Sequence, residues 1–384
     1  MLGDDFREIR ESVEALCRRY PESYWRGLEE CRRYPSEFIA EMTSAGFLAC
    51  LIPERWGGSG LGLGEACAIL EEVCRSGAHA GACHAQMYVM ASILRHGSEE
   101  QKNAWLPEIA KGRIRFQSFA VTEPDTGSDT TRLKTAARKV NGTYLISGQK
   151  VWTSRVRHSD LMLLLARTSP IAEDADRTFG LSAFLVDLRD AESKGLAIRD
   201  IDAMINHHAC ELFLDEFPVP EENLVGEAGR GFRVVLDSMN AERILIAAEC
   251  IGDARYFIEK ASAYASERVV FGRPIGANQG IQFPIARSYA ETSASSLMVR
   301  RAASLFDSGK RCGAEANMAK LLAADASWRA GDAAMQTFGG FAFSKEFNVE
   351  RKFRETRLYQ TAPVSTNLIL SYLAERELNL PRSY

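Results

Sequence analysis

The sequence predicts an α+β chain of several domains: an N-terminal helical domain over residues 1–115, a central small β domain over 116–225 and a C-terminal four-helix-bundle domain over 226–384. Three observations lead there. At 384 residues and 46% hydrophobic composition, the chain exceeds one core and has ample apolar material for two or three. Apolar residues recur at helical spacing up to about Ile114, give way to short β-rich runs between turn residues, and return to long helical periodicity after a glycine-rich hinge.

The first domain opens with Phe6, Ile9, Val13 and Leu16, then Phe38, Met42 and Phe47, with Pro35 as a break. The run Gly57-Gly58-Ser59-Gly60-Leu61-Gly62-Leu63-Gly64 follows Pro53 and Trp56 rather than a strand, so it reads as a connector between helices and not as a dinucleotide loop. Ala80 to His96 is apolar with polar interruptions and reads as core helix, and Gln101 to Lys111 as a short helix leading to the sheet. Strands are expected at Phe116–Val121, Thr143–Ser147, Leu161–Ala166, Leu181–Val186 and Leu212–Phe217. The paired His207 and His208 lie before the last run, where diverging side chains and no third ligand argue against metal and for solvent-facing imidazoles. Gly226 to Phe232 forms the hinge, with helices beyond it at Phe232–Ser266, Gln282–Ser308, Gly313–Thr337 and Ser365–Leu378.

Composition excludes several classes. Lys+Arg 47 against Asp+Glu 51 leaves a net charge of -4, and no basic run carries interleaved aromatics, which argues against nucleic acid. The nine scattered cysteines never form C-x-x-C, which argues for reduced thiols and against zinc or disulfides. No apolar run approaches a membrane span and the first residues resemble no targeting peptide, so no membrane is expected and the localisation expected is cytoplasmic.

The most informative stretch runs from Phe119 to Ser154. The loop Thr122-Glu123-Pro124-Asp125-Thr126-Gly127-Ser128-Asp129 crowds backbone amides and hydroxyls together, a surface suited to the polar edge of a flat ring. Thr143 to Ser154 then ends on Trp152 beside Thr153 and Ser154, and Trp152 is placed to cover one ring face. Composition alone favours an ordinary hairpin with a core Trp. The T-E-P-x-x-G-S-D loop and the W-x-T/S element resemble the flavin-ring segment of the acyl-CoA dehydrogenase family. Arg268-Val269-Val270-Phe271-Gly272 with Gln279, and Gln336-Thr337-Phe338-Gly339-Gly340, resemble its R-x-x-F-G…Q and Q-x-x-G-G elements, so the likeness covers nearly the whole chain.

The resemblance implies FAD as cofactor. Phe119, Val121, Thr122, Gly127, Ser128, Trp152, Thr153 and Ser154 would surround the ring, with Ser154 in place of the usual Thr. Arg268, Phe271, Gln279, Gln336, Gly339 and Gly340, with Ser365 and Asn367 of the family's T-x-Q, would meet the rest of the dinucleotide, partly across a homotetramer interface. It further implies an acyl-CoA substrate contacted by Ser128, Asn240 and Arg243, and an electron-transfer flavoprotein as electron acceptor.

Oxidising the Cα–Cβ bond of a thioester needs a carboxylate base, a hydride acceptor and donors to the carbonyl oxygen. Many members carry the base in Y-E-G-T near the C-terminus; here Leu358-Tyr359-Gln360-Thr361-Ala362-Pro363-Val364-Ser365-Thr366-Asn367 places Pro363 at that Glu. Isovaleryl-CoA and long-chain acyl-CoA dehydrogenases place it on an internal helix, where this chain has Asn240-Ala241-Glu242-Arg243-Ile244-Leu245, making Glu242 the expected base. A surface Glu242–Arg243 pair is the plainer reading of those residues. Proline also lacks the N–H that the family uses at that position to hold the thioester oxygen, which leaves open a same-fold flavoenzyme of different chemistry: an acyl-CoA desulfinase, a flavin monooxygenase or an enoyl-CoA reductase.

Overall fold

The structure, a computed structural model, describes residues 5–170 and 177–382. Helices α1 (Arg7–Cys17), α2 (Glu22–Glu30), α3 (Ser36–Ser44), α4 (Leu63–Arg75), α5 (Gly81–His96) and α6 (Glu99–Ala110) come first. Strands β1 (Phe116–Ala120), β2 (Ala136–Val140), β3 (Thr143–Ser154), β4 (Leu161–Arg167), β5 (Leu181–Asp187), β6 (Leu196–Asp200), β7 (Ala209–Pro220) and β8 (Leu224–Val225) follow. After them come α7 (Gly231–Glu267), a hairpin of β9 (Val269–Val270) and β10 (Arg273–Pro274), α8 (Gln279–Asp307), α9 (Gly313–Phe338), α10 (Val349–Arg357) and α11 (Thr366–Tyr372). The order helical, β, helical is the one the periodicity predicts. These elements form two compact units, one of Ile39–Leu61 with Gly81–Met239, the other of Met1–Phe38, Gly62–Ala80 and Asn240–Tyr384.

The first unit is built on an eight-stranded sheet in the order β6-β7-β3-β2-β4-β5-β8, with β1 parallel to β4. The sequences of β4, LMLLLAR, and β5, LSAFLVD, are continuous apolar runs because both faces of these strands are covered. Tyr144, Ile146, Met162, Leu164, Phe184 and Leu212 meet in the core of this unit. Helix α5, apolar on nearly every face, is buried along most of its length in the same unit. Gln101 of α6 donates to the carbonyls of Glu222 at 2.7 Å and Leu224 at 2.9 Å, which fastens α6 to the strand end.

In the second unit the spine is α7 from Asn240 on, the larger part of a 37-residue helix. At Gly252 it passes α4 so closely that a Cβ there would sit 2.2 Å from the Glu71 carbonyl oxygen, so only glycine fits. Asp307 at the end of α8 accepts the Leu63 N–H at 2.7 Å and the Gly64 N–H at 3.1 Å, satisfying the open N-terminus of α4. Below lies a fully buried ionic knot: Lys352 Nζ is 2.6 Å from Asp253 and 3.0 Å from Glu355, and Arg351 is 2.6 Å from Glu355.

The structure adds β2, β6, β8, the β9–β10 hairpin and α10 to the elements expected, and extends β3 and β7 to 12 residues each. The expected terminal helix Ser365–Leu378 is shorter: α11 stops at Tyr372 and Leu373–Glu377 continues as a π turn. Among the described residues no helix is long and apolar enough to cross a membrane.

Candidate active site

The polar loop is held from beneath by one ion pair. Lys150 on β3 is fully buried, with its Nζ 3.0 Å from Glu123 Oε1 and 3.1 Å from the Val121 carbonyl oxygen. Glu123 in turn accepts the N–H of Lys134 at 2.8 Å and of Thr135 at 2.9 Å. Burial depresses the Lys150 ammonium to about 8, against the pull of Glu123. For Glu123 burial works toward the neutral form, but Lys150, the Thr135 side chain and the two N–H groups outweigh it and hold the carboxyl below its ordinary range. Glu123 and Thr126 close a tight turn through paired backbone bonds, and Val151 N–H donates to the Thr122 carbonyl at 2.9 Å. The loop is therefore a rigid platform, with Gly127 and Ser128 exposed on its rim.

Two irregularities in β3 aim the residues that follow. A register shift between Ile146 and Gly148 occurs where an added Cβ would lie 2.5 Å from Thr135 Oγ1. A second, between Lys150 and Thr153, puts Trp152 in the left-handed region at φ 60° and leaves its ring 59% exposed. An exposed indole on a strained residue is a poor use of apolar surface unless something covers it. It is no core tryptophan. The hydroxyls of Thr126 and Thr153 are buried without a hydrogen-bond partner in the structure, an arrangement that costs stability unless a ligand supplies the partner. Ser118 donates to the Ser154 carbonyl at 3.0 Å and fixes the strand end, while Phe119 beside it is half-buried and meets the Tyr88 ring edge-on at 5.9 Å. A flat ring with a polar edge fits this set: one face for the indole, hydroxyls and amides for the edge. Val121 and Thr122 are half-buried on the same platform.

The paired histidines behave differently from expectation. His207 and His208 are half-buried, not solvent-facing: Arg155 meets His207 Nδ1 at 3.2 Å, and His208 packs edge-on against His158 at 4.9 Å. The Arg155 N–H bond to the His208 carbonyl, 2.8 Å, draws the segment onto the end of β3. Among the described residues no group of three potential metal ligands exists.

In the other unit, Glu242 is 7% exposed on α7, with Ile244, Leu245 and Ile246 buried after it. It is not a surface residue. Arg243 donates from an Nη to Asn240 Oδ1 at 2.7 Å, while its Nε is buried with no partner in the structure. Burial lowers the pKa of this guanidinium, and the Glu242 carboxylate opposes that. Pro363 leaves no carboxylate in the loop before α11, and the next carbonyl, of Val364, accepts from the buried Lys320 at 2.7 Å. Lys320, Lys150 and the bond from Tyr359 OH to Glu249 at 2.8 Å were not anticipated from the sequence. The available signal was positional: Lys320 falls in register with the small apolar residues Ala316, Ala319, Ala323 and Ala324.

Arg268, Gly339 and Gly340 line a cavity of about 530 Å³ with Tyr264, Phe338 and Phe341. Gly339 takes φ 59°, and nothing lies within 4 Å of a Cβ built on Gly340, so backbone is open to a ligand there. Phe271 at the hairpin tip is wholly exposed, and Gln279 and Gln336 are exposed at opposite helix ends. Ser365 caps α11 through the Leu368 N–H at 3.4 Å, and Asn367 is exposed on its first turn.

Three family models match in chain order: acyl-CoA dehydrogenase N-terminal domain over residues 3–113, middle domain over 118–217 and C-terminal domain over 229–377. The chain is 33% identical over 385 residues to the acyl-CoA dehydrogenase FadE12 of Mycobacterium tuberculosis, covering all of this chain and 98% of the relative. It is 35% identical over 352 residues to an acyl-CoA dehydrogenase of Bacillus subtilis, covering 90% and 91% of the two chains. Butyryl-CoA dehydrogenase from Megasphaera elsdenii superposes with a TM-score of 0.90 at 26% identity, over 97% of each chain. With the three models spanning the chain in order and relatives matched over its whole length, the chain belongs to the acyl-CoA dehydrogenases, a family of FAD-dependent oxidoreductases.

Proposed function

We propose that the enzyme oxidises the Cα–Cβ bond of an acyl-CoA thioester to the 2,3-enoyl-CoA and passes the electrons to an electron-transfer flavoprotein, with Glu242 as the base. The observation that carries this reading is the burial of Glu242 beside Arg243 in a chain whose other candidate position, 363, is proline. A carboxylate that is buried, on a helix whose next residues Ile244, Leu245 and Ile246 are buried too, is kept from bulk water as a base for the α-proton requires. Bound FAD supplies the acceptor for the β-hydride. Trp152, Thr126 and Thr153, with Phe119, Val121, Thr122, Gly127, Ser128 and Ser154, would hold the ring, and Arg268, Phe271, Gln279, Gln336, Gly339, Gly340, Ser365 and Asn367 the remainder. Asn240 and the open Nε of Arg243 suit the polar part of a CoA ester, with Ser128 on the ring side. The division 1–115, 116–225 and 226–384 then assigns the ring platform to the middle segment and the base to the last, in a homotetramer.

The test is anaerobic titration of the FAD-loaded enzyme with short, branched, medium and long acyl-CoAs, following the oxidised flavin band. Bleaching is expected with at least one, and Glu242→Gln should slow flavin reduction by about a thousandfold with FAD still bound. Normal bleaching by that variant would remove Glu242 from the role. Pro363 favours a second reading, the same fold with different flavin chemistry, because it withholds a backbone donor. No bleaching by any saturated ester, with oxygen-dependent or elimination products instead, would select it.

A further inference from the structure

The stretch from Thr361 to Ser365 carries two main-chain donors with nothing to donate to. Among the described residues the N–H groups of Val364 and Ser365 make no hydrogen bond, and both residues are half-buried. An open amide partly screened from water costs stability unless a ligand takes it. The stretch is nevertheless fastened on both sides: Tyr359 OH donates to Glu249 Oε2 at 2.8 Å, Gln360 to Asp325 Oδ1 at 3.2 Å, and Thr366 to the Gln360 carbonyl at 3.3 Å. Glu249 lies seven residues beyond Glu242 on α7, about 10 Å along the axis, so the stretch sets out from the helix that carries the proposed base.

Lys320 sets the direction of one of the two donors. It is fully buried on α9, has no carboxylate at ion-pair distance among the described residues, and gives its hydrogen bond to the Val364 carbonyl at 2.7 Å. Burying an ammonium for one main-chain bond is expensive, and a core selected for stability alone would place an apolar side chain there. In a trans peptide the N–H points opposite to the C=O, and the peptide between Val364 and Ser365 is trans. With the carbonyl drawn to Lys320, the Ser365 N–H is turned the other way. The Ser365 hydroxyl is already taken by the Leu368 N–H at 3.4 Å, which leaves the amide as the group to meet a ligand.

We infer that the Ser365 N–H donates to the carbonyl oxygen of the acyl-CoA thioester, with Lys320 as the positioning residue that aims it. The inference rests on the reading of the substrate as an acyl-CoA, and it supplies the donor that Pro363 withholds. As the α-proton leaves, negative charge gathers on that oxygen, and a donor held in place beforehand stabilises it with no rearrangement.

The experiment compares Ser365→Pro with Ser365→Ala in the FAD-loaded enzyme. Ser365 has φ -65°, the value proline requires, and its N–H serves no bond in the fold, so proline deletes the donor while alanine keeps it. Both variants lose the hydroxyl alike, and thermal unfolding and bound flavin report the folding of each. Two quantities are read. One is the rate of anaerobic flavin reduction by whichever of butyryl-, isovaleryl-, octanoyl- and palmitoyl-CoA bleaches the wild type fastest. The other is the pH at which bound acetoacetyl-CoA turns into its enolate, followed by the enolate absorbance; this ester loses its α-proton but has no β-hydride to give, so it reports on the held oxygen alone. Ser365→Pro should reduce its flavin about a hundredfold more slowly than Ser365→Ala and raise the enolate midpoint by about two pH units, the same factor. Lys320→Met, which frees the peptide but keeps its N–H, should move both quantities the same way by about tenfold and about one unit. Lys320→Arg can still donate to the Val364 carbonyl and should keep the wild-type midpoint. A lysine that only braces the fold would slow reduction with the midpoint unmoved, and that result in Lys320→Met removes Lys320 from the role. Equal rates and midpoints in folded Ser365→Pro and Ser365→Ala, with the wild type bleached, overturn this inference alone. It falls too if neither Ser365→Pro nor Lys320→Met folds with FAD, since the stretch is then structural. No bleaching of the wild type by any of the four esters overturns the reading beneath it.

Discussion

Single side chains decide whether the ring platform exists. Removing the Lys150 ammonium strands Glu123 in the interior without its cation, held by the Lys134 and Thr135 N–H groups and the Thr135 side chain. Lys150→Met should cost about 3–5 kcal/mol, the usual penalty for breaking a buried pair from one side. The double variant Lys150→Met/Glu123→Gln should recover part of that, a coupling readable from urea unfolding midpoints across the four-variant cycle. Equal and additive losses would show that the pair is not the fastening. At this scale the sequence speaks unevenly. Trp152, Gly127 and Gly339 are singled out by the resemblance to the family's motifs, since composition alone favours a core tryptophan. Lys150 and Lys320 are not, because a lysine in isolation is a solvated charge. Only pairing across 27 residues, and across 44, buries them.

Elements show the same division. Helix α10, VERKFRETR, is missed by the helical period because its buried face is ionic: Arg351 donates to the Gly77 carbonyl, Lys352 to the Ala78 carbonyl and to Asp253, and both pair with Glu355. An apolar period has no purchase on such a helix. Its energetics are testable through Glu355. Burial opposes its charge, but Arg351 and Lys352 prevail and hold the carboxyl at about 2 against an ordinary 4.5. A carboxyl depressed in the folded state leaves the unfolded chain binding more protons in between, so its contribution is complete above about 4.5 and lost as pH falls toward 2. Glu355→Gln should lower stability at neutral pH by about 3 kcal/mol and flatten the acid decline in the denaturant midpoint below pH 4.5. A variant whose decline stays as steep as wild type would contradict this. The strands repeat the lesson: β4 and β5 are plain in the sequence, whereas the bulges in β3 that bare Trp152 depend on its pairing with β7.

For the whole molecule, the change of period from helical to β and back was legible, because it needs only local repetition. Which surface another copy would cover was not, since exposure is a tertiary property. On α8, Phe283, Tyr289 and Leu297 are each more than half exposed, and at 100° per residue they fall within an arc of about 120°. Phe271 and Phe343 are also bare, in the unit that carries the glycine-lined cavity. A net charge of -4 gives this surface little protection from self-association. Light scattering should therefore find a multiple of the 42.6 kDa chain, and Phe283→Glu/Leu297→Glu should return it to one chain mass. If a neighbouring subunit also completes the dinucleotide site, the dissociated variant will lose FAD on gel filtration while its thermal melt stays close to that of the wild-type apoprotein. A dissociated variant that keeps its flavin would place the whole cofactor site within one chain, and a monomeric wild type would leave the apolar arc to a partner other than itself.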